Sequence, residues 1–336
     1  MPNTGQFITR LAPSPTGALH LGNARTFLLT WLWARRHSAR VIFRLEDLDG
    51  PRTKPGAAQQ AIDDLRWLGL DWDAESPPQS TRSPAYAAAV AHLLTSRSAY
   101  RCNCSRKEAE QAASAPHASD GAVIYPGTCR RSPPPAATAA AVRFAVPPAT
   151  DGGAVSWHDM FAGPRHIDVP QQLGDFIIQK SDGTAAYQIA VVIDDSESAV
   201  THIIRGDDLL DSAARQILLY RSLGLQHRLP QYMHLPLVVG DDGRRLAKRH
   251  GDTRISAYRA AGVSAGRVRG LLAAWCRWQC SIEPSTDELL AAFDLSRLPQ
   301  QAVIMGAPED EFLRRPLVAS LSAPVSARLC TSRVIL

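Results

Sequence analysis

Apolar and polar positions alternate between two periods along the first hundred residues. Phe7–Leu11 is a short, mostly apolar run that suits a buried strand. Leu21, Ala24, Phe27, Leu28 and Trp31 recur at helical spacing and predict a helix over 21–37. Val41–Asp47 reads as the next strand, parallel to the first and ending in charge. Strand, helix and strand then make one right-handed βαβ unit. A second helix is expected over 55–69, with Pro55 near its start and Gly69 near its end. Residues 84–97 also read as helical.

The texture changes at Arg101. From there to Arg131 the chain is rich in Cys, Ser, Pro and charge, and 132–150 reads as a loop holding one short strand. Periodic apolar structure returns at Gly174–Ile178 and Tyr187–Asp195, both expected as strands or strand ends. A further strand is expected over 201–206 and a helix over 208–224, closing at Gly224. From Ser256 the pattern is helical until Met305, and 306–336 carries no clear period. The expected organisation is a catalytic half over 1–100, an insertion over 101–150, a second catalytic half over 151–240, a loop and helical segment over 241–305, and a tail.

Composition adds bounds rather than detail. The chain has 336 residues, 45% apolar and 21% charged, which is long enough for a sizeable core and ordinary for globular proteins. A net charge of +5 allows a nucleic-acid partner without demanding one. The first ten residues lack the apolar stretch of a signal peptide, and no apolar run reaches membrane-spanning length. Six cysteines without an export signal point to reduced thiols or metal ligands, in a cytoplasmic setting. No GxGxxG follows the first strand, which argues against a dinucleotide-binding dehydrogenase.

Four groups of residues carry chemistry. The turn Arg10–Asn23 (RLAPSPTGALHLGN) leads from a strand into a helix start, where backbone N–H groups and the helix dipole suit phosphate. Gly17, Gly22 and Asn23 let a nucleotide approach, and His20 adds a side-chain donor. The run Gly243–Asp252 (GRRLAKRHGD) is basic, with Lys248 able to bring a compact charge to a triphosphate. Arg10 and Arg205 suit a dicarboxylic acid through bidentate forks, with Glu46 available to an ammonium and Ser14 and Tyr187 to hydrogen bonds. Cys102, Cys104 and Cys129 in a polar insertion suggest structural zinc. On donor chemistry alone His117 is the preferred fourth ligand. Cys276 and Cys280, four apart on an expected helix, are better explained by packing.

The APSPTG…HxGN turn resembles the first signature of class I aminoacyl-tRNA synthetases in its glutamate-specific form. RLAKR resembles a degenerate KMSKS loop, with Arg245 and Ala247 in place of the usual Lys and Ser, and Asn23 stands where a second His is common. The resemblance runs from about Phe7 to about Ile304. It implies an α/β fold: a Rossmann-like doubly wound parallel sheet with a zinc-binding insertion and a C-terminal helical segment. It implies glutamate binding by Arg10, Ser14, Glu46, Tyr187 and Arg205, and ATP binding by Gly17, His20, Gly22, Asn23 and Lys248, with His20 and Lys248 catalytic. It also implies one zinc per chain on Cys102, Cys104, Tyr125 and Cys129, and ATP used with Mg²⁺.

Glutamyl-tRNA synthetases continue into a helical anticodon-gripping domain, and this chain has only Ser256–Pro299 and a tail. Its segment GDF…YQIAVVIDD, with Gln188 where the longer enzymes usually carry Asn, resembles the truncated glutamyl-queuosine tRNA(Asp) synthetase group. That group implies activation of glutamate with ATP and transfer to queuosine at the wobble position of tRNA(Asp). Arg130, Arg131, Arg244 and Arg249 are candidates for phosphate contact. A shortened enzyme charging the tRNA 3′ end, and a catalytically silent tRNA-binding module, are the alternatives.

Overall fold

The computed structural model describes residues 6–15, 17–48, 54–105, 108, 124–135, 137–244, 246 and 250–315. Lys248, Arg245, Ala247, Arg249, His117 and Cys330 lie outside them.

In chain order the elements begin with β1 (Ile8–Leu11), α1 (Leu21–Arg36), β2 (Arg40–Phe43), α2 (Ala57–Trp67), β3 (Ala74–Glu75), α3 (Ser83–Thr95) and β4 (Ala99–Cys102). Next come α4 (Thr128–Arg131), β5 (Ala141–Phe144), β6 (Ala154–Asp159), β7 (Gly163–Asp168), α5 (Val169–Gln172), β8 (Phe176–Gln179) and α6 (Tyr187–Glu197). Then follow β9 (His202–Gly206), α7 (Leu210–Ser222), β10 (Gln231–Leu235), β11 (Val238–Gly240), α8 (Ile255–Ala260), α9 (Ala265–Trp275), α10 (Thr286–Ala292), β12 (Val303–Met305) and α11 (Ala307–Arg314). The chain divides into two compact units. None of the described helices is long and apolar enough to cross a membrane.

The first unit holds residues 1–76, 202–208 and 234–336. β1, β2 and β3 form an all-parallel sheet in that order, with α1 and α2 as the crossovers, which is the α/β arrangement. Arg10 stands opposite Ile42 in the β1–β2 register. Leu28–Ala34 of α1 is buried on every side, because the helix packs against β1, β2, β9 and β11 while α10 contacts it as well. At its C-terminal end Arg35 reaches Asp71 at 2.7 Å and Asp73 at 2.8 Å, placing cationic charge where the helix dipole is negative. β1 and β9 pack side by side, and β9 is laddered with β10. β11 and β12 form a parallel pair, and α11 packs on α9.

The second unit holds residues 77–201 and 209–233. β4, β5 and β8 make an antiparallel sheet, and β6 and β7 a hairpin. α3 and α7 pack on α6. The buried Asp194 of α6 ties in the preceding segment by accepting hydrogen bonds from Gln79 (2.7 Å), Arg82 (2.6 Å) and Tyr86 (2.9 Å).

Several expectations are corrected. Tyr187–Asp195 is helical, not a strand: its Ile/Val run reflects burial on all sides of α6, from Ile189 to Ser196, and burial overrides β propensity. The expected tail contains structure at its start, since α11 follows β12 directly after a Gly306 cap. Cys276 is the C-cap of α9, and Cys280 lies beyond the helix, so the pair does not share a helical face; Cys276 is buried, as packing requires.

Candidate active site

The first-signature turn is held in place by backbone. Leu21 N–H donates to Thr253 O at 3.0 Å and Ile255 N–H to Leu19 O at 2.8 Å, and His20 is bridged to Arg254. One donor at the α1 start is therefore spent on Thr253, and the amides of Gly22 and Asn23 remain at the helix end. His20 is the N-cap, extended at φ −111° and ψ 169°, with no side-chain cap bond. Its imidazole lies over the first turn. A Cβ on Gly22 would stand 3.2 Å from that ring, so glycine here is what makes room for it.

These residues border a cavity of about 1000 Å³ within the first unit. Gly17, Ala18 and His20 form one wall, Lys54–Ala57 and Gln60 at the start of α2 another, and Gly251–Arg254 with Leu246 a third. The chain that follows the RLAKR run thus shares a cavity with the first signature, although Lys248 itself lies outside the described residues.

Arg10 and Arg205, each only 5% exposed, sit on the adjacent strands β1 and β9. Ser14 is exposed in the turn after β1. Glu46 follows β2, and its N–H donates to Pro13 O at 3.1 Å, so it is fixed beside that turn. Two residues not foreseen support this group. Arg44, fully buried, holds the Glu46 carboxylate at 3.0 Å. His234, also fully buried, accepts a hydrogen bond at Nε2 from Arg205 Nε at 3.0 Å. Each is a polar residue inside an apolar strand or at its end, which is the signal that would have found it. Tyr187 is the first residue of α6 in the second unit, half-buried. Gln188 next to it donates to Ser212 at 3.0 Å and accepts from Gln216 at 3.2 Å.

In the second unit the sulfurs of Cys102, Cys104 and Cys129 lie within 4.8 Å of one another. Tyr125 Oη stands 3.4 Å from both Cys102 Sγ and Cys104 Sγ, and accepts from Cys129 N–H at 2.9 Å. Zinc–thiolate bonds of about 2.3 Å put tetrahedral sulfurs roughly 3.8 Å apart, so three soft donors and one phenolic oxygen around one point fit Zn²⁺. Burial pushes the Cys129 thiol up, but hydrogen bonds led by that from Tyr125 outweigh it and bring it down to about 7. Arg143 adds positive charge, with Nε 3.3 Å from Cys102 Sγ. Arg130, exposed, pairs with the neighbouring Asp175 at 3.2 Å.

The family of class I tRNA synthetases (E and Q), catalytic domain, matches residues 6–289. A protein of Symbiobacterium thermophilum named Glutamyl-Q tRNA(Asp) synthetase is 47% identical over 313 residues, covering 88% of this chain and 94% of its own. One of the same name from Rhodopirellula baltica is 43% identical over 311 residues, covering 88% and 92%. The crystal structure of a glutamate tRNA ligase from Elizabethkingia meningosepticum, in complex with its amino acid, superposes with a TM-score of 0.76 at 27% identity, over 92% of this chain and 69% of that one. The chain belongs to the class I tRNA synthetase family of the E and Q type, through its catalytic domain.

Proposed function

We propose that this enzyme is a ligase that activates glutamate with ATP and transfers it to queuosine at the wobble position of tRNA(Asp). The observation that carries this is near-full-length identity, in both directions, to relatives named for that reaction. In the first step a glutamate carboxylate oxygen attacks the α-phosphorus of ATP, glutamyl-adenylate forms and pyrophosphate leaves. In the second a hydroxyl of the queuosine cyclopentenediol attacks the acyl carbon, its proton is lost and AMP leaves.

The glutamate is assigned to Arg10, Ser14, Glu46, Tyr187 and Arg205. The buried arginines on neighbouring strands support this, since two guanidinium groups match two carboxylates. Glu46 takes the ammonium. ATP is assigned to the cavity beside Gly17 and His20, with the Gly22 and Asn23 amides at its phosphates and Lys248 at the leaving pyrophosphate. Mg²⁺ carried by ATP supplies charge neutralisation there. Catalysis is then mainly positioning and electrostatics, and no side chain forms a covalent bond. Cys102, Cys104, Tyr125 and Cys129 would hold one structural zinc, which when bound supplies stability to the second unit. The reaction is placed in the cytoplasm, where ATP and tRNA meet.

Labelled glutamate, ATP and tRNA(Asp) with or without queuosine test this reading. Nuclease mapping should find the label at the anticodon position and only on queuosine-containing RNA. Label at the 3′ end of tRNA(Glu) would establish the shortened charging enzyme instead. Absence of glutamate-dependent ATP–pyrophosphate exchange would leave the silent module.

A further inference from the structure

We infer that His234 is a positioning residue for glutamate recognition, acting through Arg205. The inference rests on the reading of Arg205 as a glutamate ligand. His234 is fully buried in β10, the strand laddered with β9. A buried imidazole is costly unless it is hydrogen-bonded, and His234 accepts one such bond from Arg205.

The direction of that bond is fixed by chemistry. Arginine stays protonated in proteins, so its Nε–H can only donate. Nε2 of His234 must therefore carry a lone pair, and the ring is neutral with its proton on Nδ1. The contact at 3.0 Å engages the Nε edge of the guanidinium and sets the plane of the whole group. A guanidinium can grip a carboxylate side-on through Nε and one terminal nitrogen, or end-on through both terminal nitrogens. With Nε bonded to the imidazole, the direction in which the guanidinium can present a fork is fixed before substrate arrives. His234 thereby lowers the rotamer entropy lost when glutamate binds. A lysine at 205 could not reproduce this, because an ammonium has no plane to hold.

The test is glutamate-dependent ATP–pyrophosphate exchange with the full-length chain. His234→Leu should raise the KM for glutamate about tenfold or more, while the KM for ATP stays within about twofold. His234→Gln, whose Oε1 can accept from Arg205, should recover most of the loss. In an Arg205→Lys background His234→Leu should add less than about twofold, since the group it positions is gone. Equal rises in both KM values, no change at all, or an undiminished effect in the Arg205→Lys background would overturn the inference and leave the proposed function standing. Wild-type chain without glutamate-dependent exchange would overturn both. Should His234→Leu fail to fold, the ¹⁵N shifts of the wild-type His234 ring decide: a bare Nε2 with a protonated Nδ1 is expected, and a proton on Nε2 refutes the inference.

Discussion

The guanidinium of Arg44 stands 3.0 Å from the carboxylate of Glu46, two residues further along the chain, with side chains 1% and 9% exposed. A pair this deep is costly to break, because the survivor is left as a buried charge. Arg44→Met should lower stability by about 3 kcal/mol, read as a shift in the urea midpoint. It should also raise the KM for glutamate more than that for ATP. Arg44→Lys keeps the charge but not the planar fork, and should lie between the two. A urea midpoint unchanged in Arg44→Met would refute the account.

The thiolate cluster predicts its own metal content. About one zinc per chain is expected by elemental analysis, falling at least tenfold in Cys102→Ser and less in Tyr125→Phe, which keeps three sulfurs. The Cys104 thiol is raised, so protons compete for it across neutral pH, and zinc affinity should fall more steeply below about 7, where the Cys129 sulfur is protonated as well. Metal-free protein with an unchanged melting temperature would remove zinc from the description of the second unit.

How much was legible follows from where each signal resides. α1 could be read because its apolar residues recur at helical spacing, and α2 because its stop is local: Gly69, at φ +81°, follows its end. A Cβ on Gly69 would meet Thr286 at 2.9 Å, so that glycine is also required by a residue more than two hundred positions away. α6 was misread because burial on all sides erases the helical period that amphipathicity supplies elsewhere. Arg44 and His234 each give a signal, a polar residue in or beside an apolar strand, but the partner that gives His234 its meaning is Arg205 on β9, and pairing between strands is not written in spacing. Donor chemistry alone would choose His117, which lies outside the described residues; among the described residues the Tyr125 phenol stands against the sulfurs, and a phenol is not a donor that composition or spacing points to.

Two buried groups give the first unit opposing pH responses. Burial, helped by the charge of His37, pushes the His202 ring down to about 4, where it packs against Phe7 and Trp33. The unfolded chain takes up a proton near 6.5 and the fold resists it, so stability is lost as pH falls from about 6.5 to about 4. Asp64 behaves oppositely. Burial pushes its carboxyl up to about 6 despite the hydrogen bond from Gln60, so its penalty is fully present above about 6 and is relieved as pH falls towards about 4. His202→Phe should flatten the acid limb of stability by on the order of 2 kcal/mol, and Asp64→Asn should stabilise the protein at pH 7.5 by about 1 kcal/mol. Urea midpoints measured across this range separate the two. Parallel curves for wild type and His202→Phe would show that the ring titrates alike folded and unfolded.

Gly22 tests the nucleotide site without touching a charged group. Its absent Cβ would lie 3.2 Å from the His20 ring and 3.5 Å from Val238, so a methyl crowds the imidazole and a branched side chain displaces it. Displacement moves His20 relative to the cavity wall formed by Gly251–Arg254, where the triphosphate is assigned. Gly22→Ala should raise the KM for ATP about threefold, and Gly22→Val more than about tenfold. The glutamate KM should change far less, because the atoms nearest a Cβ on Gly22 belong to His20 and Val238 and not to Arg10, Glu46 or Arg205. Melting temperature distinguishes the effect from unfolding: Gly22→Ala replaces a flexible residue inside a helix, which by itself favours the helix by about 0.5–1 kcal/mol. A variant as stable as the wild type that binds ATP more weakly would locate the defect at His20. ATP binding unaltered in Gly22→Val would detach the nucleotide from this turn.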